Sequence, residues 1–311
     1  MHPDFEHADC PICERNSAAP LLSGPDLLHP SPQQFQLVSC QHCGHIYQNP
    51  RPRPEVIGRY YPPDYAPFQT AIADEPRWWR RVERRIGRAK LCRAVHSYAG
   101  GPGHLLDIGC ATGLFLDGMR RLGWGVAGVE PSPGAAAYAR ERFGLQVFQG
   151  TVETANLAPA SFDAVTLWDV LEHVPEPRML FAEVQRILRP GGVLVISLPN
   201  PDSLEARLLK QHWLGWDLPR HLNLFKPALL KPQLARYGLQ VEAMRSFIYG
   251  YATLVMSLEQ KLKGQRFAPL ARMLLRSLPL RLATLPYYNG PANWYNLSST
   301  VVIFARKKPY A

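Results

Sequence analysis

The 311-residue chain lacks any uninterrupted apolar stretch of about 18 residues and so offers no membrane-spanning helix. Its opening residues, MHPDFEHADC, carry no basic patch followed by an apolar core; no secretion signal is read there, and a cytoplasmic location is expected. No self-similar period recurs, which argues against solenoids and propellers. Acidic side chains are scarce, 25 against 35 lysines and arginines, leaving a formal net charge of +10. What is present suits a globular chain: 46% apolar and 19% charged residues, with length enough for one large domain with appendages or for two domains.

Much of the positive charge is local. RWWRRVERRIGRAKLCR (77–93) holds seven arginines and one lysine against Glu83. Such a run suits nucleic acid or an anionic membrane surface. The spacing of Trp79, Val82, Ile86 and Ala89 equally predicts an amphipathic helix that buries these four and turns its arginines to water.

Residues 1–55, rich in Pro, His and Cys, have little periodic apolar signal and predict a small module without a core of its own. Residues 56–103 comprise most of a proline-punctuated linker (49–65) and the basic helix, closed by AGGPG. From 104 to 200, apolar strands (104–109, 125–130, 145–150, 162–170, 192–199) alternate with helices (113–122, 133–143, 177–188). This alternation predicts an α/β fold, a Rossmann-like, doubly wound, mostly parallel sheet with helices on both faces. Residues 201–311 add the aromatic segment HWLGWDLPRHLNLFKPALL, a short helix, apolar helical sequence with interspersed Arg and Lys over 247–287, and a closing strand within 296–308.

In LLDIGCATGLF (105–115), Asp107 interrupts an apolar strand and small residues follow between Gly109 and Gly113. Missing Cβ atoms let a ligand lie on the backbone, and the start of a helix offers unpaired N–H groups. The spacing at this corner is neither the dinucleotide fingerprint G-x-G-x-x-G nor the phosphate loop, which favours a ligand without phosphates. Glu130, ending the next strand, is placed to accept from both ribose hydroxyls of an adenosine, and Asp107 to hold an ammonium. Adenosine plus an ammonium without phosphate describes S-adenosyl-L-methionine.

LLDIGCATGLFL (105–116), VAGVEPS (126–132), SFDAVTLWDVLEHVPEP (161–177) and ILRPGGVLVISLPN (187–200) together resemble the class I S-adenosylmethionine-dependent methyltransferases. The resemblance implies that Asp107, Gly109, Cys110 and Gly113 surround the methionine part of the cofactor. It places Glu130 and Pro131 at the ribose and makes Leu167 and Trp168 the floor beneath. Relatives carry Gly-Asp after the third strand to receive the adenine amino group; here Gly150-Thr151 stands instead, with Val152 next, so the alternatives are that Thr151 or Glu153 substitutes or that backbone groups alone hold the adenine.

Cys10-Pro-Ile-Cys13 and Cys40-Gln-His-Cys43 are two C-x-x-C pairs. Four thiolates at this spacing surround a tetrahedral zinc, and ligation lets a segment poor in apolar residues fold. Two disulfides are the alternative, uncommon in a cytosolic protein. With four sulfur ligands the zinc is structural; His42 and His45 flank the second pair, as replacement ligands or as neighbours of the site, and Cys92 and Cys110, without partner spacing, read most simply as core thiols. The module ahead of this methyltransferase pattern (CPIC and SCQHCGHIYQNPRP) resembles a bacterial group that includes deoxysugar C-methyltransferases, which implies a small-molecule or saccharide acceptor.

Methyl transfer to an alcohol or carbon acid requires alignment and removal of a proton. His173, in DVLEHV, and His221, in WDLPRHLNLF, are the candidate bases, with a slight preference for His173 because the fold fixes its strand end. Glu172 positions His173 or caps the following turn. Arg220 offers an anionic substrate its planar fork, and Trp213 and Trp216 shape an apolar wall or stack on a sugar ring. The expected protein is thus a methyltransferase acting on a small molecule, such as a nucleotide- or lipid-linked sugar. Two alternatives are an RNA methyltransferase docking through the arginine-rich helix, although no base-stacking platform is evident, and a non-catalytic cofactor-binding scaffold. LARMLLRSLPLRLATLP (270–286) permits an interfacial helix and with it peripheral membrane contact.

Overall fold

The computed structural model describes residues 3–29, 32–61, 78–247 and 250–309. The last residues of the predicted linker, Arg77 and the side chain of Trp79 lie outside them. The N-terminal module is built on β1 (Phe5–Glu6), β2 (Ala18–Pro25), β3 (Gln34–Cys40), β4 (Ile46–Gln48) and β5 (Arg51–Pro52). β2, β3 and β4 form an antiparallel meander, and β1 pairs with β5.

The apolar residues of this module pack in a core completed from outside it. Phe5, Phe35, Leu37 and Ile46 pack with Leu218 and Leu224. The two leucines come from the aromatic segment far along the chain, which explains why residues 1–55 alone show too little apolar material.

The central strands are β6 (His104–Ile108), β7 (Gly125–Glu130), β8 (Gln146–Gln149), β9 (Phe162–Trp168) and β10 (Leu188–Pro199). The chain continues through β11 (Asn223–Leu224), β12 (Leu239–Arg245) and β13 (Thr300–Lys307). Seven strands make the main sheet in the order β12-β13-β10-β9-β6-β7-β8. β6 to β10 pair in parallel, and β13 runs antiparallel between β10 and β12. Strands buried on both faces read as continuous apolar runs, as in GVLVISLP of β10, where every residue from Val193 to Pro199 is buried.

The connecting helices show why they form. Helix Pro133–Phe143 has Pro133 in its first turn, its N-cap Ser132 accepts from the Ala135 N–H, and Gly144 ends it in the left-handed conformation. From β6 the chain steps outward through β7 to β8, then returns to β9 on the other side of β6. Ligands of such sheets lie beyond the carboxyl ends of the strands at this reversal. The letters G-x-G-x-x-G do occur at Gly123–Gly128, but they lead into β7 instead of out of a strand into a helix.

The basic helix, Trp78–Ala99, turns a different stripe inward from the one its first half suggests. Val82 and Ile86 are exposed, and burial falls on Leu91, Cys92 and Val95. The larger apolar run of the second half meets the sheet domain and sets the helix phase. Towards the C terminus lie helices Gly250–Leu262, Ala268–Leu275, Leu278–Asn289 and Pro291–Trp294. No described helix is long and apolar enough to cross a membrane.

Gly113 caps helix Leu114–Arg120 at φ +74°, and a Cβ there would come within 2.6 Å of Leu145 Cδ1 and 2.9 Å of the Ala139 Cβ. Left-handed strain and overpacking should together make Gly113→Ala lose roughly 2–4 kcal/mol of folding free energy, read from the shift in urea midpoint at unchanged m-value.

Candidate active site and metal centre

At the end of β6 the backbone turns back through Gly109 (φ +71°), Ala111 (φ +47°) and Gly113. The N–H groups of Gly109 and Cys110 both donate to the Val129 carbonyl, at 2.8 and 3.1 Å, which ties the turn to β7. A Cβ on Gly109 would meet Val170 at 2.5 Å. Both glycines are therefore required by positive φ and by close protein packing, which corrects the expectation that their missing side chains leave room for a ligand. The Cys110 side chain faces β7, filling the place a Cβ on Gly128 would take, and is buried, in keeping with a core thiol, so a contact with the cofactor would fall to its backbone.

Two carboxylates close this corner. Asp107, 2% exposed, accepts from Thr166 Oγ1 at 2.6 Å. Glu130 accepts from the N–H groups of Ala111 and Ser132, each at 2.8 Å. Burial pushes Asp107 up to about 8; the Thr166 bond opposes this, and the neighbouring Glu130 adds to it. Burial also raises Glu130, against its two N–H donors. Two buried carboxyls that disfavour each other's ionisation suit a cationic ligand, since a positive charge restores both. The residues therefore fit an ammonium-bearing nucleoside.

Among the other sequence candidates, Leu167 belongs to the main core, whereas Trp168 is half-buried with its ring 5.1 Å from that of Phe115. The Trp168 Nε1–H is buried without a partner. Pro131 is exposed and Val152 buried. Thr151 is exposed and occupied locally, its N–H and carbonyl both meeting Thr154 Oγ1.

Beyond β9 a second polar group forms. Asp169 adopts φ +54° and accepts from Ser197 Oγ at 2.6 Å. Glu172 is 1% exposed, and neither of its carboxylate oxygens has a hydrogen-bond partner. His173 Nδ1 lies 3.0 Å from the Arg220 carbonyl and 2.9 Å from Tyr61 Oη, while His221 Nδ1 lies 2.9 Å from the Gly215 carbonyl. Carbonyl partners assign the proton to Nδ1 in both rings and leave each Nε2 a bare acceptor. His221 Nε2 faces Glu172 Oε1 at 3.9 Å and Asp217 Oδ2 at 3.8 Å. Burial pushes His173 down to about 3 and lowers His221, and it raises Glu172 well above the carboxylate range with help from Asp169.

Arg220 does not reach this cleft as a free anion clamp. Its side chain has no exposed surface, and its nitrogens donate to Asp217 (2.6–3.0 Å), Asp26 (2.7 and 2.8 Å) and the Tyr60 carbonyl. The fork is taken by two internal carboxylates, which corrects its assignment to a substrate. Trp213 is fully buried and donates to Ser299 Oγ; Trp216, half-buried beside it, donates to the Lys210 carbonyl. Asp26, Asp169 and Asp217 escaped the sequence reading. Only Asp217, three residues before Arg220, carried a local signal.

In the module, Cys10 and Cys43 sulfurs lie 3.5 Å apart, as do those of Cys13 and Cys40, and all four fall within 4.8 Å of one another. A tetrahedral ion with bonds of about 2.3 Å needs sulfur separations near 3.8 Å, whereas a disulfide needs about 2.0 Å. The set fits one ion. Without a metal, burial raises Cys10 and Cys43, while backbone N–H groups of Cys43 and His42 outweigh burial at Cys40 and lower it to about 7, so the sulfur geometry carries the fit. His42 is exposed, and buried His45 pairs with Asn223 Oδ1 at 2.8 Å.

The strand reversal, the paired acids and the histidine pair lie at the end of an α/β sheet where such folds bind ligands. The methyltransferase-domain family matches residues 78–244, over half the chain. The ubiquinone biosynthesis O-methyltransferase of Xanthomonas euvesicatoria pv. vesicatoria is 32% identical over 157 residues, 47% of this chain and 66% of the relative. That of Xanthomonas campestris pv. campestris is 31% identical over 190 residues, 56% of this chain and 80% of the relative. The chain thus spans just under two thirds of the first relative's length. Phosphoethanolamine N-methyltransferase 2 of Haemonchus contortus, solved with S-adenosyl-L-methionine, shares the fold with a TM-score of 0.52 and 17% identity, covering 85% of this chain and 63% of its own. The chain belongs to the methyltransferase-domain family.

Because Asp107 keeps in the folded state a proton that the unfolded chain gives up near pH 4, the protein alone should lose stability as pH rises from about 4 towards 8. The slope approaches about 1.4 kcal/mol per pH unit at most. Denaturation of Asp107→Asn at several pH values should show that decline flattened.

Proposed function

We propose that the protein transfers a methyl group from S-adenosyl-L-methionine to a hydroxyl of a small-molecule acceptor. The observation that carries this reading is the pairing, at one strand reversal, of a cation-seeking acid corner with a cluster of proton-accepting groups. The names of the relatives, O-methyltransferases, favour oxygen as the acceptor atom. A saccharide acceptor remains compatible with the cysteine module, which on this reading holds a structural zinc.

S-adenosylmethionine supplies a methyl group already activated on a sulfonium. Asp107 and Glu130 would hold its ammonium and ribose, with Trp168 beneath. Glu172, His173 and His221 form the wall at which the acceptor hydroxyl loses its proton. The carboxylates beside His221 Nε2 favour this ring over His173, because they would stabilise the positive charge that forms there. Arg220 acts at one remove: its carbonyl orients His173, and its ion pairs fix the loop that bears His221.

Calorimetry of the full chain should register S-adenosylmethionine binding, weakened at least tenfold by Asp107→Ala with Glu130→Ala. Binding of neither S-adenosylmethionine nor S-adenosylhomocysteine would sink the reading. A labelled methyl donor screened against phenols and sugar nucleotides should identify an acceptor. With it, His221→Asn should lower kcat roughly 100-fold or more while cofactor affinity stays within about twofold.

The C-terminal helices support a second contact, an anionic bilayer. Ala268–Leu275 and Leu278–Asn289 bury no residue, and Leu270, Met273, Leu278 and Leu282 are each more than half exposed. Lys261, Lys263 and Arg266 add positive charge beside them, and Glu259, the one acid from 256 to 295, pairs with Arg276 and Arg272. An apolar face with a cationic fringe matches an acidic lipid surface. The chain should sediment with phosphatidylglycerol vesicles, far less with phosphatidylcholine or in high salt, and Leu270→Glu with Met273→Glu should release it. Equal indifference to both vesicle types, or a solution dimer that covers this face, would refute the contact.

A further inference from the structure

One buried acid takes no part in the site described above: Glu205, in the short helix Leu204–Leu209 that follows β10. It is 4% exposed. Its Oε1 accepts from Tyr288 Oη at 3.2 Å, and its Oε2 is buried without a hydrogen-bond partner among the described residues. The hydroxyls of Tyr287 and Ser298 are buried and unpartnered in the same way. Glu205 disfavours ionisation of both Tyr287 and Tyr288, whose rings lie 5.0 Å apart. A Cβ on Gly250 would meet Ser298 Oγ at 2.1 Å and Tyr288 Cε1 at 2.6 Å, so these two lie side by side. The Leu204 N–H donates to the Leu297 carbonyl, which brings Ser298 alongside the helix that bears Glu205. Tyr251 closes the group, its ring 6.2 Å from that of Tyr288. Four separate segments thus converge on one carboxyl. Burial raises Glu205, opposed by its own main-chain N–H and the Tyr288 hydroxyl; no cation is among the groups that act on it.

Three unpaired polar atoms in one buried cluster cost free energy unless a guest meets them. The chemistry of the cluster selects that guest. A buried carboxyl gains most from positive charge, a tyrosine face attracts a cation, and hydroxyl oxygens accept from the three donors of an ammonium. An anion would be repelled by the carboxylate, and an apolar guest would leave all three atoms unmet. We propose that Glu205, Tyr287, Tyr288 and Ser298 bind the protonated amino group of a small amine. The path in is short: the rings of Tyr251, Tyr287 and Tyr288 are partly exposed, and helix Leu278–Asn289, which carries two of them, buries none of its residues. The cluster also adjoins the segment that bears His221. Ser299 Oγ accepts from Trp213, whose ring packs on that of Trp216, and the Gly215 carbonyl between them orients His221. On the methyl-transfer reading, on which this one step rests, the amine belongs to the acceptor whose hydroxyl meets His221. Amine binding itself does not rest on that reading.

Two pairs of probes, glucosamine with glucose and tyramine with tyrosol, each differ by an ammonium in place of a hydroxyl. Calorimetry on the full chain, with S-adenosylhomocysteine added to fill the acid corner, should show at least one of the amines bound about tenfold or more tighter than its alcohol. Glu205→Gln should remove that preference. Tyr287→Phe, which takes away only an unpaired hydroxyl, should reduce it severalfold and serves as the test if the first variant does not fold. An unmodified chain that binds neither amine more tightly than its alcohol overturns the proposal, since water alone would then meet the cluster. So does a preference that survives undiminished in folded Glu205→Gln, or in Tyr287→Phe where only that variant folds, because it would arise at another acid such as Asp107. Absence of S-adenosylhomocysteine binding would sink the methyl-transfer reading while leaving a Glu205-dependent amine preference standing, so the two failures are distinguishable.

Discussion

The guanidinium of Arg220, enclosed between Asp26 and Asp217 without exposed surface, is the contact on which the site's geometry depends. Taking three charges out of water costs several kcal/mol per ion, so the network adds little net stability against an apolar substitute. Its effect is positional. It anchors a loop whose Asp217 sits at φ +29° and whose next residues supply the Arg220 carbonyl to His173 and the ring of His221. Both imidazoles are thus oriented through one buried ion network, and losing one carboxylate from it would leave a buried charge half paired.

The same network makes the cysteine module part of the site. Asp26 follows β2, and β4 lends its free edge to β11, so residues 223–224 complete the module's sheet. His45 pairs with Asn223, the Asn223 amide donates to the Val174 carbonyl, and the Leu222 N–H donates to the carbonyl of Glu172. Cys10, Cys40 and Tyr47 share a hydrophobic cluster with Phe181, Phe225 and the strands of the main sheet. On the proposed reading, metal ligation at the sulfurs would therefore stiffen the wall behind Glu172 and His173, a role beyond holding together a small appendage.

How much was legible in the sequence follows from the range of the forces concerned. The five parallel strands and the closing strand of the main sheet carry their own apolar pattern and lie where the sequence predicts, whereas β12 falls within an aromatic segment and short helix in the sequence reading and is missed. The Asp26–Arg220 pair joins residues 194 apart and leaves no local trace. Asp169 was passed over because its neighbour Trp168 fitted the cofactor floor and because a left-handed aspartate is not visible in sequence. Gly109 and Gly113 were recognised for a reason that does not hold: packing and positive φ demand them, since Val170 and Leu145 occupy the space a ligand was expected to take. The basic helix went wrong in phase because two apolar stripes compete along it, and tertiary contact selects between them.

One electrostatic theme links the two ends of the site. Asp107, Glu130, Asp169 and Glu172 are all held where burial disfavours their ionised form. Folding against that cost is tolerable only where other contacts of the domain outweigh it, and such local conflicts collect at working sites. The conflict also selects ligands. A group with positive charge gains from both carboxylates of the corner, a neutral one gains only hydrogen bonds, and an anion is repelled. Methyl transfer from a sulfonium removes one positive charge from the cofactor, so the corner that favours the charged donor loses part of its hold on the neutral thioether left behind.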